Sequence, residues 1–297
     1  MKANMVQALN NALALELESN PNLVLLGEDV GVDGGVFRVT EGLQQKFGKD
    51  RVIDTPLAES AIIGTSIGMA AYGLHPVAEV QFSGFMYPGF DQLISHASRI
   101  RNRSRGRFSC PLTMRTPYGG GIKAPEHHSE SMEALFIHTP GLKVVIPSNP
   151  TDAKGLLTSA LRDPDPVIFF EPLRVYRAFR EEVPEEQYTV PLGQAKVTQK
   201  GTDLTLISWG SMFRTSMEAV QQIQEEEKYS IELIDLRSLS PIDWPTIHAS
   251  VQKTGRALIV QEAPLTLGLA SEIITRIMEK NFLQLKAPVE RVTGFDT

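Results

Sequence analysis

The stretch "VIDTPLAESAIIGTSIGMAAYGLHPVAEVQF", Val52 to Phe82, contains a complete strand–helix–strand reading. Val52 and Ile53 form a short apolar run closed by an acid and a proline, as a buried strand is where it enters a loop. Thr55-Pro56 has the character of a helix start: threonine can cap free backbone N–H groups, and proline at the first helical position loses no hydrogen bond. The residues that follow are apolar or small on every side, which predicts a helix buried all round. Gly64 and Gly68 lie one turn apart and leave room for another backbone. "HPVAEVQF" then reads as a second strand, so the stretch is a β-α-β unit of a parallel sheet. Glu59 is out of place at the mouth of this helix. In a first turn it can simply complement the helix dipole, the commoner role for such a residue. A carboxylate entering an apolar interior is costly to keep charged, however, and proton-moving carboxyls are made in this way.

The same alternation continues on both sides. Val6 to Leu17 has helical spacing and ends at Asn20-Pro21, and "LVLLGED" (Leu23 to Asp29) reads as a buried strand emerging into a loop. "CPLTMRTP", "LKVVIPSNP" and "PVIFFEP" are further strands; "DQLISHASRIRNRS" and "TDAKGLLTSALRD" are helical. The fold class is therefore α/β, a mostly parallel sheet with helices on both faces. Residues 181–200 carry no long apolar pattern and read as a linker. The first domain is then 1–180, and 201–297 repeats the strand–helix alternation as a smaller α/β domain ending on the strand "VERVTGFDT".

Bulk composition narrows the function. A formal net charge of −6 argues against a general nucleic-acid or anionic-membrane binder. A single cysteine, Cys110, allows no intrachain disulfide and fits a reducing compartment, where it reads as a buried thiol. The first residues lack a secretory or transit pattern, and the longest apolar stretch, Ala61 to Leu74, is too short to span a bilayer. A cytoplasmic protein is expected.

Open parallel sheets bind ligands beyond the carboxyl ends of their strands. Glu28 and Asp29 end one strand, Glu59 follows another and Gln81 ends a third, so these groups can meet in one crevice. Each alone is more often a helix cap. "RTPYGGGIKAPEHHSES" follows a strand with three glycines and then offers His127 and His128. Adjacent histidines point apart and make a poor metal pair, but one loop histidine suits acid–base work near neutrality. "FSGFMYPGF" places Phe85 and Tyr87 where an exposed ring could stack on a planar ligand. The five arginines between Arg99 and Arg107 read as an interface. No glycine-rich dinucleotide fingerprint, P-loop or nucleophile elbow is present. The crevice resembles half of an active site.

The segments "GEDVG", "DTPLAES", "AEVQFSGFMYPGFDQ", "RTPYGGG", "EHHSES", "HTPGLKVVIPS", "DPDPVIFFEP" and "LIDLRSLSPID" together resemble the β chain of thiamine-diphosphate-dependent 2-oxo acid dehydrogenases. These are the decarboxylating components of the pyruvate and branched-chain complexes. The resemblance implies a pyrimidine-binding domain followed by a transketolase-type C-terminal domain. Relatives continue past "GFDT", so a truncated last domain is expected. By motif match, Glu59 meets N1′ of the aminopyrimidine and holds or shares its proton; Phe85 stacks on that ring, and Leu57, Gln81 and Glu28 complete the pocket. His128 matches the acid–base of acyl transfer to a lipoyl group, with His127 shaping the loop. Leu112, Ala160, Leu161, Asp163 and Asp165 match the positions of a potassium ion in some members. The resemblance also implies an α subunit carrying Mg²⁺ and the diphosphate site in an α₂β₂ tetramer, and a lipoyl-bearing dihydrolipoamide acyltransferase as partner. The substrate would be a small 2-oxo acid. An acetoin dehydrogenase β chain, another transketolase-like half and a non-catalytic scaffold subunit are the alternatives.

Overall fold

Val52–Asp54, Glu59–Ala71 and His75–Glu79 form the strand, helix and strand of the central stretch, in a computed structural model that describes residues 1–297. The two strands are not neighbours. Leu23–Gly27 lies between them, parallel to both. They belong to a seven-stranded sheet in the order Ser238–Ser240, Lys143–Val145, Val167–Pro172, Thr113–Tyr118, His75–Glu79, Leu23–Gly27, Val52–Asp54. Only Ser238–Ser240 runs antiparallel to its neighbour. From Leu23–Gly27 the chain steps outward to Val52–Asp54 and then crosses back to His75–Glu79. Such a reversal opens a crevice beyond the carboxyl ends of the strands that diverge there.

Successive strand residues point to opposite faces, and the core divides accordingly. Leu25, Val77 and Phe169 pack with Leu9, Leu13 and Leu17 of the helix Met5–Ser19 and Leu156 of the helix Pro150–Leu161. Asn4 and Gln7 close the first helix's start with reciprocal side-chain bonds, and the Asn149 side chain caps the second. Leu26, Ala78, Ile168 and Phe170 face the other way, toward Ile62 and Ile63 of the helix Glu59–Ala71.

Two expectations for that helix need correction. It begins at Glu59 behind Ala58, not at Thr55-Pro56. The Thr55 N–H still bonds the Gly27 carbonyl at 2.9 Å, extending the strand ladder one residue, up to the proline. Nor is it buried all round. Ile62, Ile63, Ser66 and Ala70 are buried, whereas Ser60, Ala61, Thr65, Gly68 and Ala71 are exposed. A Cβ on Gly68 would meet no atom within 4 Å, so no backbone of this chain approaches there.

A second, five-stranded sheet runs Glu290–Gly294, Ala257–Pro264, Leu204–Ser208, Ile231–Asp235, Lys196–Gln199, with the last strand antiparallel to its neighbour. Within 181–200, Glu181–Glu182 pairs with Lys2–Ala3 and Lys196–Gln199 supplies that edge strand. Trp209, Ile234, Leu239 and Ile247 share one buried cluster with Ile168 and Phe170, so the two sheets are joined through a continuous core. No helix is long and apolar enough to cross a membrane.

Candidate active site

The crevice is built first from strand ends. At Gly27 a Cβ would lie 2.7 Å from the Glu79 carbonyl, so only glycine lets the two strands finish this close together. The next residues, Glu28 and Asp29, turn out of the sheet. Asp29 adopts φ 57°, a left-handed conformation that aspartate tolerates better than most side chains. From across the crevice the Gln81 amide donates to Asp29 Oδ2 at 3.2 Å. Burial, then Asp29, then Glu59 push the Glu28 carboxyl above the ordinary glutamate range. Glu28, Asp29, Gln81 and Glu59 are thus brought together, as their positions at strand and helix ends predict.

Glu59 itself is half-buried, at the first residue of its helix. Its turn is held from the side: Ser60 Oγ donates to the Pro88 carbonyl, and a Cβ on Gly89 would sit 3.1 Å from the Glu59 carbonyl. Leu57 is 68% exposed, presenting an apolar side chain at the rim. Thr55 Oγ1 is buried without a hydrogen-bond partner. An unpaired hydroxyl of this kind costs about 1–3 kcal/mol and fits a place where a ligand supplies the missing bond.

The second wall is aromatic. The His128 ring lies 4.5 Å from Phe82 and 5.0 Å from Phe85, edge-on to both, and the two phenyl rings are 5.3 Å apart. His128 Nδ1 is 3.0 Å from the Glu126 carbonyl. A carbonyl only accepts, so the bond places the proton on Nδ1 and leaves the Nε2 lone pair free for acid–base work. His127 points elsewhere: its backbone has φ 70°, and its ring faces Tyr87 at 6.2 Å. The segment Ser83–Ser95 joins the two walls, since Gly84 abuts the His127 backbone and Gly89 abuts Glu59.

Behind the crevice sits a buried ionic triad that sequence reasoning missed. Arg115 forks onto Glu171 with two bonds of 2.8 Å, reaches Glu79 with its other nitrogen, and Glu171 also accepts from Tyr176. Burial raises the Glu79 carboxyl despite the opposing Arg115 charge. The signal was present in a glutamate and an arginine inside runs that read as buried strands, positions where a charge needs a partner. With Arg115 engaged in this way, the crevice presents carboxylates, an amide and aromatic rings. That surface suits a heteroaromatic ring bearing hydrogen-bond donors and repels a diphosphate, which needs cations from elsewhere.

The residues matched to a potassium ion also lie together, near the end of the helix Pro150–Leu161. Asp163 binds Lys143 at 2.6 Å and Asp165 binds Arg101 at 2.6 Å, so both carboxylates are already paired. Thr113 Oγ1 bonds the Ala160 carbonyl at 3.1 Å, and the Leu112 carbonyl accepts from Val167. Any ion here would be met by hydroxyl and carbonyl oxygens, a set suited to a weakly held monovalent cation. Nearby Cys110 is buried, and burial followed by Asp165 pushes its thiol up to about 12.

Known proteins resemble this chain over nearly its whole length. Residues 1–178 match the family "Transketolase, pyrimidine binding domain", and residues 193–297 match "Transketolase, C-terminal domain". A solved structure of a split-gene transketolase, described as an inactive β4 tetramer, superposes with a TM-score of 0.81. It covers 100% of this chain and 91% of its own at 21% identity, a likeness of fold alone. The pyruvate dehydrogenase E1 component subunit beta of Acholeplasma laidlawii is 54% identical over 98% of this chain and 89% of its own length. The protein of the same name from Bacillus subtilis (strain 168) is 52% identical over 99% of this chain and 90% of its own. The chain belongs to the β-subunit family of thiamine-diphosphate-dependent 2-oxo acid dehydrogenases.

Proposed function

We propose that this chain is the β half of an enzyme that decarboxylates pyruvate and passes the acyl group to a lipoyl arm. The observation that carries the reading is the crevice at the strand reversal, where Glu28, Asp29, Gln81 and Glu59 face one another beside the Phe82–Phe85–His128 wall. Thiamine diphosphate, when bound, supplies the electron sink for loss of CO₂ from a 2-oxo acid. The chain's own residues hold and protonate its pyrimidine end. Glu59 holds or shares a proton at the ring nitrogen, from the first turn of its helix beside Glu28. Phe85 stacks on the ring, Leu57 and Gln81 flank it, and Glu28 lies beside it. His128, with Nε2 free, exchanges a proton with the lipoyl sulfur as the dithiolane opens.

The acidic crevice supports a diphosphate held, together with its Mg²⁺, by an α subunit, in a site shared between α and β chains of a cytoplasmic α₂β₂ tetramer. The acyl group then leaves on the lipoyl domain of a dihydrolipoamide acyltransferase. The relatives' names favour pyruvate over a branched-chain oxo acid. The Leu112, Ala160, Leu161, Asp163 and Asp165 cluster is assigned to a monovalent ion such as potassium. Calorimetry of thiamine diphosphate with Mg²⁺ tests the half-site, on the chain alone and on the chain co-expressed with its α partner. Binding only by the pair supports the reading. Tight binding by the isolated chain would refute the division of the site.

A further inference from the structure

We infer that Glu262, from the smaller domain, is a positioning residue for the His128 loop. This rests on the acyl-transfer role proposed above for His128. The loop 119–130 is closed at its base, where the Gly119 N–H bonds the Glu130 carbonyl at 2.9 Å and Ser83 Oγ bonds the same oxygen at 3.0 Å. Glu262 grips that base from the other sheet. Its Oε1 accepts from the Gly120 N–H at 2.7 Å, and its Oε2 accepts from Ser211 Oγ at the start of the helix Gly210–Glu227.

The fit depends on the glycines. A Cβ on Gly119 would lie 2.7–2.9 Å from the Glu262 carboxyl group, and Gly119 holds φ +78°. The triple glycine therefore admits a carboxylate from a residue 142 positions later in the chain. The Ser83 bond is the other side-chain hydrogen bond to the loop from outside it, and further along the loop stands His128, whose ring is held by Phe82 and Phe85. A charge-assisted bond at the loop's root sets where the histidine enters the aromatic wall, and small displacements of an acid–base group are expensive in rate.

The test uses the assembled enzyme with its α subunit and separates two half-reactions: pyruvate decarboxylation read with an artificial electron acceptor, and acylation of a free lipoyl domain. Glu262→Ala is expected to slow lipoyl acylation by about 10- to 100-fold, while decarboxylation falls by less than about 3-fold. Glu262→Gln keeps an acceptor for the Gly120 N–H and restores most of the acylation rate; Ser211→Ala, which leaves that bond intact, gives a smaller loss of acylation with the same split. His128→Ala is the control. If His128→Ala fails to depress acylation more than decarboxylation, the reading of His128 has failed. If it does so while Glu262→Ala slows both half-reactions in parallel, or neither, Glu262 is structural only and the inference is overturned. Should Glu262→Ala not assemble, the Glu262→Gln and Ser211→Ala pair decides, with parallel loss in both half-reactions again overturning it.

Discussion

Replacing Arg115 with leucine offers the sharpest check on the packing behind the crevice. Arg115 is 1% exposed, Glu79 6% and Glu171 0%. The substitution removes the fork onto Glu171 and the bond to Glu79 together, and leaves two carboxylates buried with only the Tyr176 hydroxyl for company. Breaking a buried ion pair by deleting one partner costs about 3–5 kcal/mol, because an uncompensated charge remains. Leucine fills much of the vacated volume, so little of that loss is cavity. In urea unfolding of the purified chain the expected loss at neutral pH is therefore about 3–5 kcal/mol. The pH dependence carries the mechanism. The Glu79 carboxyl is already raised in the folded protein, so its contribution is fully present below the ordinary carboxylate range and is lost as pH rises through the raised value. Without Arg115 it rises further, and the variant's deficit should grow with pH. Glu79→Gln, which resembles the protonated form, should cost less than about 1 kcal/mol. A deficit below about 1 kcal/mol for Arg115→Leu, or one of constant size across pH, would refute the argument that an unpaired buried charge is what hurts.

Other outcomes follow from the same geometry. Glu59→Gln should reduce 2-oxo acid decarboxylation by at least about 100-fold in the assembled enzyme while leaving assembly intact, and near-wild-type turnover would remove Glu59 from its role. His128→Ala should depress lipoyl acylation more than decarboxylation, by about 10- to 100-fold in the former step; rapid-quench measurement of the two steps decides. Burial pushes both Glu133 and Asp235 up to about 7. The folded chain holds their protons, so the stability they contribute is full in acid and declines as pH rises through about 7. Glu133 Oε2 has no hydrogen-bond partner to offset this. Glu133→Gln should flatten that decline by roughly 1–3 kcal/mol at mildly alkaline pH, and an unchanged slope in denaturant titrations would count against it.

Much of the site was legible one segment at a time. "LVLLGED" placed Glu28 and Asp29 at a strand end, "HPVAEVQF" placed Gln81 at another, and "EHHSES" isolated a histidine on a loop. These readings rest on strand termini and turn residues, which local chemistry dictates. The helix start at Thr55-Pro56 was misread because a local cap signal competed with a ladder bond to Gly27, a residue 28 positions earlier. The all-round burial of Glu59–Ala71 failed for a related reason. Alanine, glycine and threonine are compatible with either environment, and their sequence does not say which face the chain's own neighbours cover.

Strand and helix periods, the α/β alternation and the family motifs were determined by the sequence alone, because each is a property of a few consecutive residues and the backbone they prefer. The order of the strands, the insertion of Leu23–Gly27 between its two successors and the passage of Ser238–Ser240 into the first sheet were decided by tertiary packing. So were the pairing of Arg115 with two acids and the reach of Glu262 to the glycine loop. Proximity and loss of water govern those features, and both depend on side chains brought together from far apart in the chain.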